Sequence, residues 1–424
     1  MTRMKESGID WIGQIPEEWE TSKIRYLVTT RSEKRITDSS VPYIGLENIE
    51  SQTGKFVKTG IQVDKSENIV VEIGDVLFGK LRPYLRKYWR ATFTSTASSE
   101  FLVFQSSELD MNFLYYAIQS DSFIEEVNTS TYGSKMPRAS WEYIKNMRIA
   151  FPTSLVEQQK IADFLDKKTA QLDKVKSLLE EQIQKLKDYR ASLIYETVTK
   201  GLDKNVPMKD SGIDWIGQIP QGWGVKPIKH VVATPVTDGP HETPLLCETG
   251  IPFLSAEAVK NGVLDFNYKR GYISLQDHER FKKKISPKKD DIFIVKSGAT
   301  TGNVGIVNTD EIFDIWSPLA LIRCKKSLAV QKYIYYYLIS NIFKAQVEFN
   351  WSFGTQQNIG MGIIENIKLI LPPLSEQTKI SDLLDKKTYQ IDQLIQIKNK
   401  QIDNINKQRQ TLIYDYVTGK RRVY

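Results

Sequence analysis

An internal repeat constrains this chain more than any other feature of its sequence. Residues 4–16 read MKESGIDWIGQIP and residues 208–220 read MKDSGIDWIGQIP, with Glu6 against Asp210 as the only mismatch. Self-similarity of this extent indicates that one structural unit occurs twice. The sequence therefore predicts two similar halves.

A second repeat closes each half of the chain. EQQKIADFLDKKTAQLDKV starts at Glu157, and EQTKISDLLDKKTYQIDQL starts at Glu376. The alignment continues without a gap to SLIYETVT (192–199) and TLIYDYVT (411–418). Each half thus consists of a short opening motif, a body and a matching closing segment.

The bodies between these repeats, residues 21–150 and 225–370, share little sequence identity. Matched segments would build a common frame, whereas unmatched segments diverge as loops and binding surfaces do. A duplicated frame with two diverged bodies indicates recognition of two different targets at a fixed separation. The alternative is gene duplication followed by drift, which would blur the frame and the bodies alike.

The closing segments have the pattern of long helices. Gly and Pro do not occur in residues 157–200 or 375–418. Apolar residues recur at heptad or adjacent positions, as in coiled coils. The predicted spacer residues are Leu165, Leu172, Leu179, Leu186, Leu193, Leu384, Ile391, Ile395, Ile402, Ile405 and Leu412, with Lys398 as an interruption.

A helix of about forty residues is about 60 Å long. A lone helix of that kind with one apolar stripe would be marginal in water, so we expect the two to pack as an antiparallel pair. The alternative is that each packs on its own body as an amphipathic helix. Ser154 and Ser375 are the expected N-caps, and Gly201 and Gly419 lie just past the expected ends.

Each body is predicted to be α+β. Residues 68–81 and 91–105 have the β-branched and aromatic pattern of strands, and residues 288–307 read as strand, Gly-rich turn and strand. Residues 111–127 and 330–347 have helical spacing and occupy corresponding places in the two bodies.

Residues 80–90, KLRPYLRKYWR, are the first candidate for contact with a nucleic acid. Cations neutralise phosphates, aromatic rings stack on bases, and arginine pairs bidentately with guanine. The alternative is a solvated strand edge protected by cations. The candidates are Lys80, Arg82, Tyr84, Arg86 and Lys87, in a run that also holds Tyr88, Trp89 and Arg90.

Two loops at matching places in the bodies are further candidates. Amide side chains pair bidentately with adenine, and cations position phosphates. The alternative is that both are ordinary surface loops. The first loop carries Tyr132, Ser134, Lys135 and Arg138, and the second carries Trp351, Thr355, Gln356, Gln357 and Asn358.

The Gly-rich turn SGATTGNVG of the second body supplies the remaining candidates. It lacks the GK[ST] ending of a P-loop, so we do not predict a P-loop there. Its polar side chains are candidates for contact with DNA. They are Lys296, Ser297, Thr300, Thr301 and Asn303.

Other function classes lack support in the sequence. His230, His241 and His278 do not have metal-ligand spacing, and we predict neither catalytic residues nor a metal site. Cys247 and Cys324 are expected to be reduced, packed thiols of an intracellular protein. The sequence has neither a signal-peptide pattern nor a membrane-spanning apolar run, so we expect a cytoplasmic protein. A net charge of +7 permits a polyanionic partner.

The paired SGIDWIGQIP openings, the PTSLVEQQKIADFLD and PPLSEQTKISDLLD helix starts and the LIYETVTKG and LIYDYVTGK endings carry a family resemblance. The chain resembles the specificity subunits of type I restriction-modification enzymes over nearly its whole length. The resemblance implies an α+β fold with two similar α/β target-recognition domains. Two long helices forming an antiparallel coiled coil would separate them, with pseudo-two-fold symmetry.

The resemblance also implies a division into four segments. Residues 1–155 would form the N-terminal target-recognition domain and residues 156–200 the central conserved helix. Residues 201–374 would form the C-terminal target-recognition domain and residues 375–424 the C-terminal conserved helix. The helix pair would act as a ruler, so inserting residues near Lys174 is expected to change the gap between half-sites rather than their sequences.

By the same resemblance, the chain would be a non-catalytic subunit that binds a bipartite, asymmetric site in double-stranded DNA. Two methyltransferase subunits would bind S-adenosylmethionine and methylate adenine N6, and a motor-nuclease subunit would complete the restriction enzyme. This chain itself would hold no cofactor. The alternatives are an enzyme that acts alone on DNA and a coiled-coil assembly protein that does not read DNA.

Overall fold

A computed structural model describes residues 3–37, 41–59, 66–131, 135–349 and 358–423. The chain divides into two compact units. Unit 1 is Met1–Glu180 with Lys398–Tyr424, and unit 2 is Glu181–Ile397. Each unit contains one body and a piece of both long helices.

The body of unit 1 is α+β, as the sequence predicts. Its helices are α1 (Met111–Ala117), α2 (Asp121–Thr129) and α3 (Trp141–Ile144). Its strands are β1 (Met4–Glu6), β2 (Gln14–Pro16), β3 (Trp19–Lys23), β4 (Thr29–Thr30), β5 (Lys34–Ile36), β6 (Tyr43–Ile44), β7 (Glu67–Val71), β8 (Val76–Gly79), β9 (Tyr88–Arg90), β10 (Ser95–Ala97), β11 (Phe101–Gln105) and β12 (Arg148–Pro152).

The long helices follow the bodies. Helix α4 spans Leu155–Lys200, and helix α9 spans Leu374–Val417. The body of unit 2 has helices α5 (Leu275–Phe281), α6 (Gln331–Leu338), α7 (Asn341–Phe349) and α8 (Met361–Asn366). Its strands are β13 (Met208–Asp210), β14 (Gln218–Pro220), β15 (Gly224–Pro227), β16 (Thr237–Asp238), β17 (Ile251–Leu254), β18 (Val259–Lys260), β19 (Val263–Leu264), β20 (Gly271–Ile273), β21 (Ile292–Val295), β22 (Val304–Ile306), β23 (Asp314–Ile315), β24 (Leu319–Ile322) and β25 (Lys368–Leu371).

The sheets of the two units repeat one plan despite the low identity of the bodies. The order β4-β11-β8-β9 in unit 1 corresponds to β16-β24-β21-β22 in unit 2. A parallel pair, β6 with β10, corresponds to the parallel pair β17 with β23. The hairpin β1-β2 and the pair β3-β12 recur as β13-β14 and β15-β25. The expectation of two similar α+β units is therefore confirmed.

Within each unit the two long helices pack in an antiparallel arrangement. In unit 1 the start of α4 and the end of α9 enter one hydrophobic core, where the rings of Phe164 and Tyr416 lie 4.6 Å apart. In unit 2 the end of α4 meets the start of α9, where Ile194 and Leu384 share a core. The expected antiparallel pairing is thus confirmed within each unit.

Each helix also packs on its own body, as the alternative interpretation held. The Tyr116 hydroxyl donates to Asp166 of α4 at 2.6 Å, and the Tyr336 hydroxyl donates to Asp385 of α9 at 2.7 Å. Asp166 and Asp385 occupy the same repeat position. The duplicated helix sequence therefore provides the same packing surface for two different bodies.

The predicted spacer residues differ in burial. Leu165, Leu384 and Ile391 are buried. The remaining spacer residues are only half-buried: Leu172, Leu179, Leu186, Leu193, Ile395, Ile402, Ile405 and Leu412. The apolar spacer residues are therefore most deeply buried where a body covers the helices.

The helix starts confirm one expected N-cap and correct the other. Ser154 directly precedes α4, and its hydroxyl accepts from the Glu157 amide at 3.4 Å. Helix α9 begins at Leu374, so Ser375 lies inside the helix and is not its cap. Pro373 takes that place, because its carbonyl accepts from the Glu376 amide at 2.9 Å.

Each predicted body helix is broken into two. Residues 111–127 form α1 and α2, and residues 330–347 lie in α6 and α7. Ser120 and Ser340 have buried side chains whose hydroxyls donate to carbonyls three residues earlier. Such side-chain bonds compete with the helix backbone and turn the chain at the same place in both bodies.

The cysteines only partly match their expected environment. Both are free thiols, and Cys324 is buried, which raises the pKa of its thiol to about 12. Cys247 is exposed, so the expectation that it is packed was wrong. Across the described residues, every helix is too short or too polar to span a bilayer.

Candidate nucleic-acid interface

The end of strand β8 brings two predicted segments of unit 1 side by side. The Lys80 amide donates to the Glu100 carbonyl at 2.7 Å, and the Lys80 carbonyl accepts from the Ala139 amide at 2.9 Å. One step on, Leu81 forms a β-bridge with Arg138. Residues 80–82 and 135–139 thus form one platform, although nothing in their local patterns pairs them.

Charged side chains cluster on this platform. The Arg138 guanidinium makes a bidentate pair with the Glu100 carboxylate, at 2.6 and 3.2 Å. Burial lowers the pKa of Lys80. The negative charge of Glu100 raises this pKa and the positive charge of Arg138 lowers it, and the net pKa is lowered. Sequence reasoning missed Glu100, because a single acid at a strand start carries no pattern.

A turn with strained backbone projects from the same segment. Arg82 and Arg86 adopt left-handed conformations, with φ of 51° and 54°, on either side of the turn Pro83–Leu85. Non-glycine residues rarely adopt this conformation, and it tends to occur at functional sites. The turn leaves the Tyr84 ring 51% exposed, where a base or sugar is able to pack against it.

The remaining cations of this run are differently engaged. Arg86 pairs with Asp121 at 2.5 Å, and the Lys87 ammonium donates to the Ile49 carbonyl at the same distance. Burial lowers the pKa of Lys87. Tyr88 and Trp89 are buried in hydrophobic cores, so neither ring is available for stacking. Arg82 and Lys135 lie together, since the Arg82 guanidinium donates to the Lys135 carbonyl at 3.4 Å.

Unit 2 builds the same platform from different residues. The Lys296 amide donates to the Pro318 carbonyl at 2.8 Å, and the Lys296 carbonyl accepts from the Ile359 amide at 2.7 Å. Ser297 forms a β-bridge with Asn358. By these bonds Lys296 corresponds to Lys80, and Asn358 corresponds to Arg138.

Lys296 is held by an acid that sequence reasoning did not find. Its ammonium lies 2.9 Å from the Asp238 carboxylate, which also contacts Lys284 at 2.7 Å and His241 at 3.1 Å. Burial raises the pKa of Asp238, but hydrogen bonds from Lys284 and Lys296 outweigh it, and the net pKa is lowered. The charge of Lys296 is therefore partly compensated.

The Gly-rich turn presents only part of its polar side chains. The Thr301 hydroxyl donates to the Gly298 carbonyl at 2.6 Å and is buried, so it stabilises the turn. The turn depends on left-handed glycines, including Gly298 at φ 103°. Asn303 is exposed and Thr300 is half-buried. These two side chains remain placed for contact with a ligand.

Several predicted residues lie outside the described parts of the chain, and their role stays a prediction. They are Tyr132, Ser134, Trp351, Thr355, Gln356 and Gln357. Among the described residues, His, Cys, Asp and Glu side chains do not form a group that would hold a metal ion.

Comparisons with known proteins point in one direction. The family model described as "Type I restriction modification DNA specificity domain" matches residues 16–187 and 220–407. The type I restriction enzyme MjaVIII specificity subunit of Methanocaldococcus jannaschii is 25% identical, over 97% of this chain and 94% of that protein. The putative MjaX specificity subunit of the same organism is 24% identical, over 97% and 96%.

A solved structure shares the fold. It comes from work on complex assembly and conformational transition of the type I R-M system. The TM-score is 0.71, with 19% sequence identity, over 96% of this chain and 99% of that chain. At this identity the likeness concerns the fold alone.

The Asp238 cluster gives a prediction with a defined pH dependence. Asp238→Asn is expected to lower the free energy of unfolding by about 1–3 kcal/mol at pH 7, because Lys296 and Lys284 lose a charged partner. A lowered folded-state pKa stabilises the fold above the ordinary Asp value of about 3.9, and that stabilisation is lost as pH falls through the folded pKa. Thermal denaturation from pH 3 to pH 8 measures it.

Asp310→Asn is the matched control, because the Asp310 side chain is 80% exposed in its pair with Lys289. Its effect should stay within about 0.5 kcal/mol. Equal effects of the two substitutions, or an Asp238→Asn deficit that persists undiminished at pH 3, would contradict this account.

Proposed function

Because the chain belongs to the type I restriction modification DNA specificity family, we propose that it is a specificity subunit in which each unit reads one part of a DNA site. The family resemblance inferred from the sequence is confirmed. The chain is the DNA-recognition component of such an enzyme, and the alternative of a scaffold without DNA reading is not favoured.

One observation carries the proposal of two different half-sites. The same backbone platform occurs in both units, with a lysine at its first position, Lys80 or Lys296. At the bridged position beside it, Arg138 stands in unit 1 and Asn358 in unit 2. Arginine pairs bidentately with guanine and asparagine with adenine. A lysine that both units share, next to base-contacting residues that differ, suits an asymmetric, bipartite site.

The reading step requires that ion pairs exchange partners. Arg138 is engaged by Glu100, and Lys296 is engaged by Asp238. A guanine edge or a phosphate would replace these carboxylates, and a mismatched site would leave the original pairs intact. Specificity then comes from the difference between the two pairings.

The chemistry of modification belongs to other subunits. Methyltransferase subunits would bind S-adenosylmethionine and methylate adenine N6, which requires that the base leave the helical stack. A motor-nuclease subunit would complete the restriction enzyme. This chain contributes the placement of those subunits on double-stranded DNA, and the helix length sets the gap between the half-sites.

Exposed apolar residues on the long helices support docking of two copies of one partner. Val175 of α4 and Leu394 of α9 occupy the same repeat position, and each is 47% exposed. Leu178 and Ile397 also match, with 48% and 53% exposure. Contiguous exposed apolar residues mark interaction surfaces. Two equal patches on a repeated frame suit two identical methyltransferase subunits.

Arg138→Ala is expected to weaken methylation of sites that contain the first half-sequence by roughly 5–150-fold, the value of a bidentate base contact. Glu100→Gln should act in the opposite direction, because it removes the competing carboxylate. The reconstituted complex is assayed for methylation on cognate and half-site-altered duplexes. Arg148→Ala is the control, an exposed arginine whose guanidinium bonds only to Thr21 among the described residues. Unchanged site preference in Arg138→Ala would exclude this residue as a reader.

Replacing Val175 and Leu178 together by lysine should remove one methyltransferase subunit from the complex, and replacing Leu394 and Ile397 together should remove the other. Charges on an apolar contact surface are desolvated without compensation. Native mass spectrometry counts the subunits. Tyr26→Lys, at a ring that is 64% exposed in the unit 1 body, is the control and should retain both. Retention of both subunits by either lysine pair would refute the docking proposal.

A further inference from the structure

The two long helices are joined by an ion pair that occurs twice. In unit 1 Arg409 of α9 lies 3.8 Å from Asp173 of α4, and in unit 2 Arg190 of α4 lies 2.9 Å from Asp392 of α9. The two arginines share one repeat position, and the two aspartates share another. The helix residues around the two arginines differ in part, with Lys187 and Ala191 where the other repeat has Asn406 and Gln410. The bodies contribute the other differences.

In unit 1 the body covers the arginine. The Arg409 guanidinium donates to the Gln52 carbonyl and to the Gln119 side-chain oxygen, both at 3.3 Å. The Tyr88 ring is buried beside it, and the Tyr88 hydroxyl donates to the same Gln52 carbonyl at 2.5 Å. Burial raises the pKa of Tyr88, and the charge of Arg409 opposes that rise. The Arg409 side chain is only 8% exposed.

In unit 2 two of these covering side chains are replaced. Ile294 of β21 corresponds to Phe78 of β8. Val304 pairs with Ile294 and Tyr88 pairs with Phe78, so Val304 takes the place of Tyr88. Ile339 directly precedes Ser340, as Gln119 directly precedes Ser120. The aromatic ring and the amide that cover Arg409 thus have only aliphatic counterparts at Arg190.

A cavity of about 370 Å³ lies in front of Arg190, whose side chain is 30% exposed. Cavities of roughly 300–1,000 Å³ are typical of small-ligand sites. Its inner wall is apolar, formed by side chains that include Ile194, Val304 and Leu338.

The polar groups of this cavity define what it would accept. Among the described residues, its lining has the cations Lys187, Arg190 and Lys344 and lacks carboxylates. Lys187 and Lys344 are exposed, so they lie at the rim. Amide side chains line it too, including Asn261 and Asn303.

Tyr335 completes the lining as a buried phenol, at the place of Tyr115 in unit 1. In both units this hydroxyl lies where a β-carbon on a tight-turn glycine would collide with it, at Gly262 here and at Gly54 in unit 1. Burial raises the pKa of Tyr335, and the charge of Arg190 opposes it. The tyrosine and arginine that both units share thus face a space that unit 1 fills with the Tyr88 ring.

We propose that this cavity of unit 2 binds a purine mononucleotide. The base takes the place of the Tyr88 ring and offers Arg190 the hydrogen-bond acceptors that Gln52 and Gln119 supply to Arg409. The amide side chains suit the donor and acceptor edges of a base. The phosphate lies at the rim, where Lys187 and Lys344 supply charge-assisted hydrogen bonds.

Isothermal titration of the full chain with AMP tests this proposal. We expect one AMP per chain, and at least ten-fold weaker binding of adenosine and of inorganic phosphate, because each lacks one half of the recognised group. A short single-stranded oligonucleotide that displaces AMP at lower concentration would identify a nucleic-acid strand as the source. Failure to displace would identify a free nucleotide.

Val304→Tyr restores the ring of unit 1 and should weaken AMP binding at least ten-fold while the melting temperature stays equal or rises. Ile339→Gln restores the amide of unit 1 and should also weaken AMP binding. This second variant keeps the test valid if Val304→Tyr does not fold. Lys344→Gln should weaken AMP but not adenosine, whereas Lys226→Gln, an exposed lysine outside the cavity lining, should change neither.

Two results would overturn the proposal. One is that wild-type chain does not bind AMP at millimolar concentration. The other is that Val304→Tyr and Ile339→Gln, both folded, bind AMP as tightly as the wild type does.

Discussion

The antiparallel packing of the two helix repeats is the interaction on which the rest of the structure depends. The same repeat positions are buried twice, once in each unit. The start of α4 packs with the end of α9 in the core of unit 1, and the end of α4 packs with the start of α9 in the core of unit 2. A fully buried valine, leucine or isoleucine contributes about 1.5–3 kcal/mol, and such residues concentrate where a body covers the helices. They are Ile161, Leu165, Ile194, Val198, Ile380, Leu384, Ile413 and Val417.

The repeats explain why much of the architecture was predictable. The shared LDKKT stretch of the two helices places Asp166 and Asp385 to accept hydrogen bonds from equivalent tyrosines, so the two bodies present similar inner faces. The kinks after Gln119 and Ile339 were not predicted, because a buried serine that bonds a carbonyl has no periodic pattern. Ser375 was misassigned as a cap for a related reason, since Pro373 supplies its backbone carbonyl instead of a side chain.

The candidate interface was predictable in composition but not in pairing. Cation-rich segments were recognisable, yet Glu100 and Asp238 reach their partners through sheet neighbours far apart in sequence. Tyr88 and Trp89 have the composition of stacking residues but serve as core. Comparison of the two units shows which variable positions correspond, which the sequence pattern of either body does not. The correspondence follows from the equivalent backbone hydrogen bonds at Lys80 and Lys296.

Lengthening the helix pair tests the central claim most directly. Seven residues inserted into both helices at the unit boundaries, after Glu180 and after Ile397, preserve the heptad and add about 10 Å. Mapping of methylated adenines by the reconstituted enzyme should then show unchanged half-sites separated by about three more base pairs, at roughly 3.4 Å per pair. Altered half-sites with an unchanged gap would contradict the account.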